Sequence, residues 1–226
     1  MPTGTRARDR RTTGSHAVRR ERQSRPRGWR SVVLALLLAV LLTGLLRALV
    51  VDVYWIGSDS MRPTVEPGDR VLVNKLVDGT RPERGDLVVF DGRGSFAPLR
   101  SDDPWPVRSL QALGRWAGLT GSDTVYLKRV IGTPGDTVEC CAPSGRLLVN
   151  GEELAEDYVF EGEPPSAVEF TAVVPEGRLW LMGDHRSVSV DSRSLLGAPG
   201  GGLVRADKVI GEAVAVLWPR DRAGQL

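Results

Sequence analysis

The sequence predicts a mostly β protein, in which a single N-terminal transmembrane helix precedes an extracytoplasmic antiparallel β domain. Three observations support this fold class. An apolar stretch from Ser31 to Val51 measures about 30 Å as a helix, which is the hydrocarbon thickness of a bilayer. Behind it, short runs of Val, Leu and Ile alternate with turns rich in Gly, Pro and Asp. One of these turns, Asn150-Gly151, is a strong two-residue signal of a β-hairpin.

The chain begins with a basic tail. Residues 1–30 contain ten Arg against Asp9 and Glu21, and residues 1–28 hold few apolar side chains. Such a composition cannot bury enough surface to fold, so we expect residues 1–28 to be disordered. Positive charge before an apolar span keeps that end of the chain in the cytoplasm, which explains the arginines better than a nucleic-acid-binding arm does. We therefore predict an anchor helix over residues 29–51 with a cytoplasmic N-terminus.

The apolar stretch is predicted to stay attached rather than to be removed as a signal peptide. It is longer than the roughly 7 to 15 apolar residues of a cleaved signal, and no small-x-small site follows it. Near its end, Arg47 can extend its side chain to the membrane surface. Tyr54 and Trp55, just beyond it, suit the same interface. Residues 52–226 then form the extracytoplasmic domain.

Six apolar runs in this domain are predicted to be strands, because each is short and bounded by turn residues. They are Val71–Val73, Leu87–Phe90, Val125–Ile131, Leu147–Val149, Leu179–Met182 and Val209–Leu217. Three turns share a Gly-Asp-x-Val pattern, at Gly68, Gly85 and Gly135, in which Gly permits the turn and Asp binds nearby backbone amides. Residues 93–123 break this rhythm, and a helical patch over Val107–Trp116 marks them as an insertion.

Residues 57–69 form a Gly- and Pro-punctuated loop soon after the anchor and carry two hydroxyls, Ser58 and Ser60. A serine in such a loop is a nucleophile only if a base lies beside it, and otherwise it belongs to an ordinary polar turn. The chain has two His, and only His185 lies outside the tail, so a Ser-His-Asp arrangement depends on that residue. Lys128 is the other candidate base.

Lys128 and Arg129 stand side by side in an apolar strand. Adjacent strand residues point to opposite faces, so one of the pair is expected to face inward. Arg stays protonated in proteins, whereas burial brings the pKa of a Lys down to about 7 to 8 and leaves a neutral amine available. The alternative is a solvated Lys128 beside an Arg129 that forms an ion pair, and the spacing alone leaves both alternatives open.

Four segments together resemble the bacterial type I signal peptidases, also called leader peptidases. They are Ser58-Asp59-Ser60-Met61-Arg62-Pro63-Thr64, Arg84-Gly85-Asp86-Leu87-Val88-Val89-Phe90, Tyr126-Leu127-Lys128-Arg129-Val130-Ile131-Gly132, and Gly183-Asp184-His185-Arg186 with Asp191-Ser192-Arg193. They occur in the family's order behind an N-terminal anchor and cover most of the exported domain. The resemblance implies a Ser/Lys dyad serine protease that removes signal peptides from exported preproteins.

The resemblance assigns the chemistry to four residues. Ser60 matches the family nucleophile, and Lys128 matches the general base. Ser58 matches a hydroxyl that joins the Ser60 amide in the oxyanion hole. Ser189 matches a hydroxyl that orients the lysine amine.

Other matched residues have supporting roles. Asp191 and Arg193 match a pair that holds their segment near the dyad. His185 stands where the family often has Asn, which keeps a His-assisted mechanism open. Four residues match positions around the small pocket for the residue before the cut: Ile56, Met61, Tyr126 and Leu127.

The resemblance also implies the remaining architecture and partners. The fold class becomes a single transmembrane helix followed by an extracytoplasmic antiparallel β catalytic domain with a small β cap, at about residues 139–178. We expect no metal or nucleotide cofactor. The partners would be preprotein signal peptides and membrane lipid rather than nucleic acid, and the protein would be a monomer in the bacterial cytoplasmic (inner) membrane.

Three points stay open at this level. The chain could be an inactive membrane-anchored β module that binds exported peptides, or a Ser/Lys protease that acts on folded membrane proteins. The adjacent Cys140 and Cys141 could be packed thiols, a vicinal disulfide or one half of a bond to another chain. Neither a zinc site nor a framework of widely spaced disulfides can be built from them.

Overall fold

The computed structural model describes residues 27–76, 82–96, 114 and 124–226. The chain divides into two compact units, residues 1–41 and residues 42–226. The predicted disordered tail, residues 1–28, lies almost wholly outside the described residues. The first unit contains most of a helix, and the second contains all of the strands.

The helix α1 spans Arg27–Leu49 and contains most of the predicted anchor. Its portion Gly28–Leu49 contains an 18-residue window with a mean hydropathy of 2.6 and is long and apolar enough to cross a membrane. The prediction that the helix extends to Val51 is wrong by two residues. Val51 instead pairs with Asn74 in a sheet, so its backbone belongs to a strand.

Twelve strands follow in the described part of the chain. In chain order they are β1 (Val51–Trp55), β2 (Arg70–Asn74), β3 (Leu87–Asp91), β4 (Val125–Gly132), β5 (Thr137–Cys140), β6 (Leu147–Val149), β7 (Glu152–Glu153), β8 (Phe170–Val173), β9 (Arg178–Met182), β10 (Val204–Arg205), β11 (Val209–Trp218) and β12 (Gly224–Gln225). The main sheet has the order β1-β2-β11-β3-β4-β9-β10, with β12 paired to β11. All of its pairs are antiparallel, as the sequence predicts, and β4 lies inside the sheet between β3 and β9.

A second, smaller antiparallel sheet has the order β7-β6-β5-β8. The predicted hairpin joins β6 to β7, where Asn150 and Gly151 have φ values of 57° and 82°. A type I′ turn requires positive φ at both central residues, so the prediction is confirmed. At the end of β5, Cys140 and Cys141 are joined in a disulfide, one of the three states that the sequence left open.

The three Gly-Asp turns share one geometry. Gly68, Gly85 and Gly135 have φ values of 98°, 102° and 93°, which residues with a Cβ rarely adopt. In each turn the Asp carboxylate accepts a hydrogen bond from the backbone N–H three residues earlier. The pairs are Glu66–Asp69 at 2.8 Å, Glu83–Asp86 at 2.7 Å and Thr133–Asp136 at 2.8 Å. The first turn leads into β2 and closes the loop that carries Ser60.

The predicted insertion begins at the end of β3. Phe96 is buried, and its ring lies 5.2 Å from the rings of both Phe90 and Tyr126. The predicted helical patch, Val107–Trp116, lies outside the described residues except for Gly114. The aromatic cluster therefore fixes the start of the insertion beside β4.

Candidate active site

The loop between β1 and β2 holds Ser60 on a tight turn. The N–H of Arg62 donates to the carbonyl of Asp59 at 3.1 Å, and the N–H of Val65 donates to the carbonyl of Met61 at 2.9 Å. Met61 and Val65 are 1% and 0% exposed and pack in one apolar cluster under the loop. Their burial fixes the backbone on the C-terminal side of Ser60.

The central strand β4 brings Lys128 to this loop. The Lys128 side chain is almost fully buried, and its Nζ donates to Ser60 Oγ at 2.6 Å. Arg129, the next residue, is also buried and binds Asp184. The sequence predicted that one of the two cations faces inward, and the structure buries both. Protein covers both faces of β4 at this point, and each cation has its own partner.

Burial changes the chemistry of the lysine amine. It lowers the pKa of Lys128 from 10.5 to about 8, against the opposing attraction of the Asp191 and Asp184 carboxylates. At that pKa roughly one amine in ten is neutral at pH 7, and half are neutral at pH 8. The site therefore contains an amine that can accept a proton under ordinary conditions, in contact with an alcohol that can supply one.

Two further hydroxyls were predicted to lie at this site. Ser58 is close to the nucleophile candidate, with an Oγ–Oγ distance of 3.3 Å to Ser60. Ser189 is buried, but its Oγ has no hydrogen-bond partner, so the predicted contact with Lys128 is not among the bonds that the structure forms. A Cβ built on Gly183 would lie 2.3 Å from Ser189 Oγ and 2.5 Å from the Ser60 carbonyl oxygen. The Ser189 side chain and the Ser60 backbone thus both pack against Gly183, and the role of Ser189 stays a prediction.

The predicted support pair, Asp191 and Arg193, forms a buried ion pair. Arg193 donates to Asp191 from Nε at 2.9 Å and from a terminal nitrogen at 2.7 Å. Asp191 also accepts the N–H of Gly183 at 3.0 Å, and Arg193 donates to the carbonyl of Arg186 at 2.9 Å. These bonds fold the segment between Gly183 and Arg193 back on itself beside the lysine.

A cavity of about 530 Å³ opens beside Ser60 and Lys128. The four residues predicted to surround a substrate pocket all line it: Ile56, Met61, Tyr126 and Leu127. Val188 and Val190 line it too, although 46% and 62% of their surfaces are exposed, and the sequence did not single them out for this role. The cavity combines apolar walls with the Ser60 hydroxyl and the Lys128 amine, which suits a small apolar group next to a polar reacting bond.

Most of the chain matches one protein family. A profile of the family described as "Signal peptidase, peptidase S26" matches residues 29–218. The chain belongs to this family. Its members are serine-protease hydrolases, and the match extends from the apolar helix to the last residue of β11. The resemblance seen in four short segments is thereby confirmed.

Individual signal peptidases align over most of the chain. A probable signal peptidase I of Mycobacterium leprae is 36% identical over 87% of this chain and 78% of that protein. A signal peptidase I of Leptolyngbya laminosa is 33% identical over 84% of this chain and 79% of that protein. Among solved structures, a signal peptidase I from Enterococcus faecalis V583 is 28% identical, covers 58% of this chain and 96% of that chain, and has a TM-score of 0.36.

In this signal peptidase family member, Asp184 forms a buried network that sequence reasoning missed. Arg129 donates two hydrogen bonds to Asp184, at 2.8 and 2.7 Å, and Thr64 Oγ1 donates a third at 2.6 Å. The Asp184 side chain is 0% exposed. The network joins the Ser60 loop, strand β4 and the segment after β9. The only sequence signal was the position of all three residues inside family-like segments.

His185 was the alternative candidate base, and its imidazole is committed to other partners. Nδ1 lies 3.1 Å from the carbonyl oxygen of Asp59, and Nε2 lies 3.3 Å from a carboxylate oxygen of Glu163. Among the described residues, the side-chain nitrogen bound to the Ser60 hydroxyl belongs to Lys128. This geometry favours the lysine as the base of the signal peptidase reaction.

The lowered pKa of Lys128 predicts a pH-dependent stability. Between pH 8 and 10.5 the unfolded chain holds the lysine proton more often than the folded protein does, so the free energy of unfolding rises with pH across this window. Lys128→Met removes the titration. We expect the free energy of unfolding of this variant, relative to that of the natural protein, to be higher by about 3 kcal/mol at pH 7 than near pH 10.5. Thermal unfolding of both proteins at the two pH values measures the effect, and a difference that does not change with pH contradicts it.

Proposed function

We propose that the chain is a membrane-anchored serine endopeptidase that cleaves N-terminal signal peptides from exported preproteins after small-x-small (Ala-x-Ala-like) sites. Ser60 is the nucleophile and neutral Lys128 is the general base. One observation carries this proposal: a buried amine with a lowered pKa lies 2.6 Å from the hydroxyl of a serine that faces a cavity. A serine needs such a base to become a nucleophile.

The first half of the reaction forms an acyl-enzyme. The neutral Lys128 amine takes the Ser60 proton while Ser60 Oγ attacks the carbonyl carbon before the mature N-terminus. Negative charge then develops on the carbonyl oxygen. The Ser60 N–H and the Ser58 hydroxyl, whose Oγ lies 3.3 Å from Ser60 Oγ, are the donors that we propose for this oxyanion, and one such donor contributes about 3 kcal/mol. The protonated Lys128 gives its proton to the leaving amine.

The second half frees the enzyme. With its proton gone, Lys128 is again neutral and activates a water molecule for attack on the acyl carbon. The same oxyanion donors act a second time, and Ser60 recovers its proton when the signal peptide leaves as a carboxylate.

The cavity supports the proposed preference for small residues. Its walls include Ile56, Met61 and Leu127, which leave an apolar recess beside the nucleophile. Met61 is also 1% exposed and packed in the core, so that wall cannot move aside easily to admit a larger side chain. A preprotein would place Ala in this recess in an extended conformation.

The position of the anchor helix supports the proposal that the substrate is cleaved near the membrane surface. Ser60 follows the helix end at Leu49 by eleven residues, so the chain holds it within roughly 37 Å of that point at about 3.4 Å per residue. Signal peptides present their cleavage site just beyond their own apolar segment. We propose a cytoplasmic N-terminus and an extracytoplasmic β unit, since the positive tail precedes the span. Membrane lipid and signal peptides are its partners, and the protein acts as a monomer.

A pair of matched substrates tests the proposal. The purified full chain in detergent receives a preprotein with an Ala-x-Ala site and a second version in which the last Ala is replaced by Trp. We expect cleavage directly after the Ala-x-Ala site, and at least about 100-fold slower cleavage of the Trp version, because the recess cannot hold the larger ring. The products are identified by mass spectrometry, with Ser60→Ala as the blank for contaminating proteases.

Other outcomes of this assay would point elsewhere. No cleavage of either substrate by the natural chain would favour a module that only binds exported peptides. Equal cleavage of both versions would contradict the small-residue preference. A folded membrane protein offered as a third substrate, and cut while the preproteins are not, would favour a different proteolytic role.

A further inference from the structure

The imidazole ring of His185 is held on three sides. One face stacks on Phe160, with the ring centres 4.2 Å apart and an angle of 22° between the planes. The edges meet the Asp59 carbonyl oxygen and the Glu163 carboxylate. Only 12% of the side chain is exposed. Ser187 in turn fixes Glu163 by donating from both its backbone N–H and its hydroxyl, so the ring has one preferred orientation.

The partner of Nδ1 determines where the ring carries a proton. A backbone carbonyl oxygen only accepts hydrogen bonds, so the contact with Asp59 requires a proton on Nδ1. The Glu163 carboxylate at Nε2 is also only an acceptor, so both contacts are hydrogen bonds only when each ring nitrogen carries a proton. His185 donates to Asp59 in that doubly protonated ring and in the neutral tautomer that keeps its proton on Nδ1.

The Asp59 carbonyl belongs to the same peptide group as the Ser60 N–H. A peptide group is planar and nearly always trans, so its C=O and N–H point in opposite directions. A donor that fixes the direction of the Asp59 carbonyl therefore also fixes the direction of the Ser60 N–H. The backbone N–H of His185 binds the next carbonyl, that of Ser60, at 3.1 Å. One residue thus holds the peptide groups on both sides of the nucleophile.

We propose that His185 is a positioning residue for the oxyanion hole: its Nδ1–H orients the Asp59–Ser60 peptide group so that the Ser60 N–H faces the developing oxyanion. His185 does not act as the base. The inference rests on the proposed function, since it takes Ser60 as the nucleophile and its N–H as an oxyanion donor. Phe160 and Glu163 keep the imidazole in the required orientation.

Two substitutions test the roles of the two ring nitrogens separately. In His185→Asn the side-chain amide can take the place of Nδ1 and still donate to Asp59, whereas in His185→Gln it reaches the place of Nε2 instead. We expect His185→Gln and His185→Ala to lower kcat by about 10- to 100-fold with little change in KM, because an oxyanion donor acts only in the transition state. His185→Asn should stay within about 3-fold of the natural kcat. Glu153→Gln, on the exposed β6–β7 hairpin, is the control.

A purely structural role for His185 predicts a different pattern. It would lower the melting temperature of all three variants without the split between Asn and Gln. If His185→Gln cleaves with the natural kcat while the natural chain and Ser60→Ala behave as expected, the inference is overturned and the proposed function stands. If the natural chain does not cleave, the function fails and the inference fails with it.

A spectroscopic measurement needs no variant at the site. The chain has two His, and His16 lies in the basic tail, so ¹⁵N-histidine labelling of the full chain gives signals from two imidazoles. His16→Gln assigns the remaining signal to His185. We expect the ¹⁵N signal of His185 Nδ1 to be that of a protonated nitrogen, since it lies against the Asp59 carbonyl oxygen. A neutral ring protonated on Nε2 alone would overturn the inference, because Nδ1 would then have nothing to donate.

Discussion

Lys128→Met is expected to lower kcat for signal-peptide cleavage by about 10⁴-fold, at the upper end of what a general base contributes. Met matches the length of the lysine stem and fills the buried site, so the Ser60 loop should keep its packing. What disappears is the only side-chain nitrogen bound to the Ser60 hydroxyl in the described part of the chain. Without it the alcohol keeps its proton and attacks the peptide carbonyl very slowly. Single-turnover cleavage of an Ala-x-Ala preprotein measures the loss.

The matched control is Lys208→Met, the same change in the short 3-10 helix between β10 and β11. This lysine lies outside the cavity lining, so its removal should leave the cleavage rate as it was. Lys128→Arg adds a second comparison, because a guanidinium keeps the positive charge but does not deprotonate. Substantial cleavage by either Lys128 variant would show that another group removes the serine proton.

Asp184→Asn is expected to give the largest loss of stability, about 3 to 5 kcal/mol, which corresponds to a fall in Tm on the order of 10 °C for a chain of this size. The amide cannot balance the charge of Arg129, which stays buried with its guanidinium against the altered side chain. It also weakens the hydrogen bond from Thr64, four residues after the nucleophile. Thermal unfolding in detergent measures the effect.

The comparison variant for this prediction is Asp207→Asn. Asp207 also pairs with an arginine, Arg205, but more than half of each side chain is exposed. Exposed ion pairs contribute little, so its Tm should not change measurably. An equally small change for Asp184→Asn would mean that the buried network does not hold the three segments together.

The strands could be predicted where the sequence marks both their ends. Each of the six predicted runs overlaps an observed strand, because Gly, Pro and Asp bound an apolar segment there. Strand β1, Val51–Trp55, was missed because its apolar residues continue the apolar run of α1 without a turn residue between them. β8, Phe170–Val173, alternates buried and exposed residues correctly but is too short to stand out.

The site could be predicted only in part. The resemblance identified Ser60 and Lys128, yet their contact joins residues 68 positions apart and depends on how the loop packs against β4. The pairing of Asp184 with Arg129 could not be predicted, since an aspartate after a glycine looks like another turn residue. The two contacts of His185, to Asp59 and Glu163, were missed because a local sequence pattern does not indicate partners that are distant in the chain.

If Lys128 is the base that we propose, its burial also determines when the protein becomes able to cut. In an unfolded chain water surrounds that side chain, and a lysine in water remains charged at neutral pH. The Lys128 amine becomes able to accept a proton at neutral pH only after the Ser60 loop packs against β4, because burial then lowers its pKa. The proposed dyad therefore forms only when the domain folds.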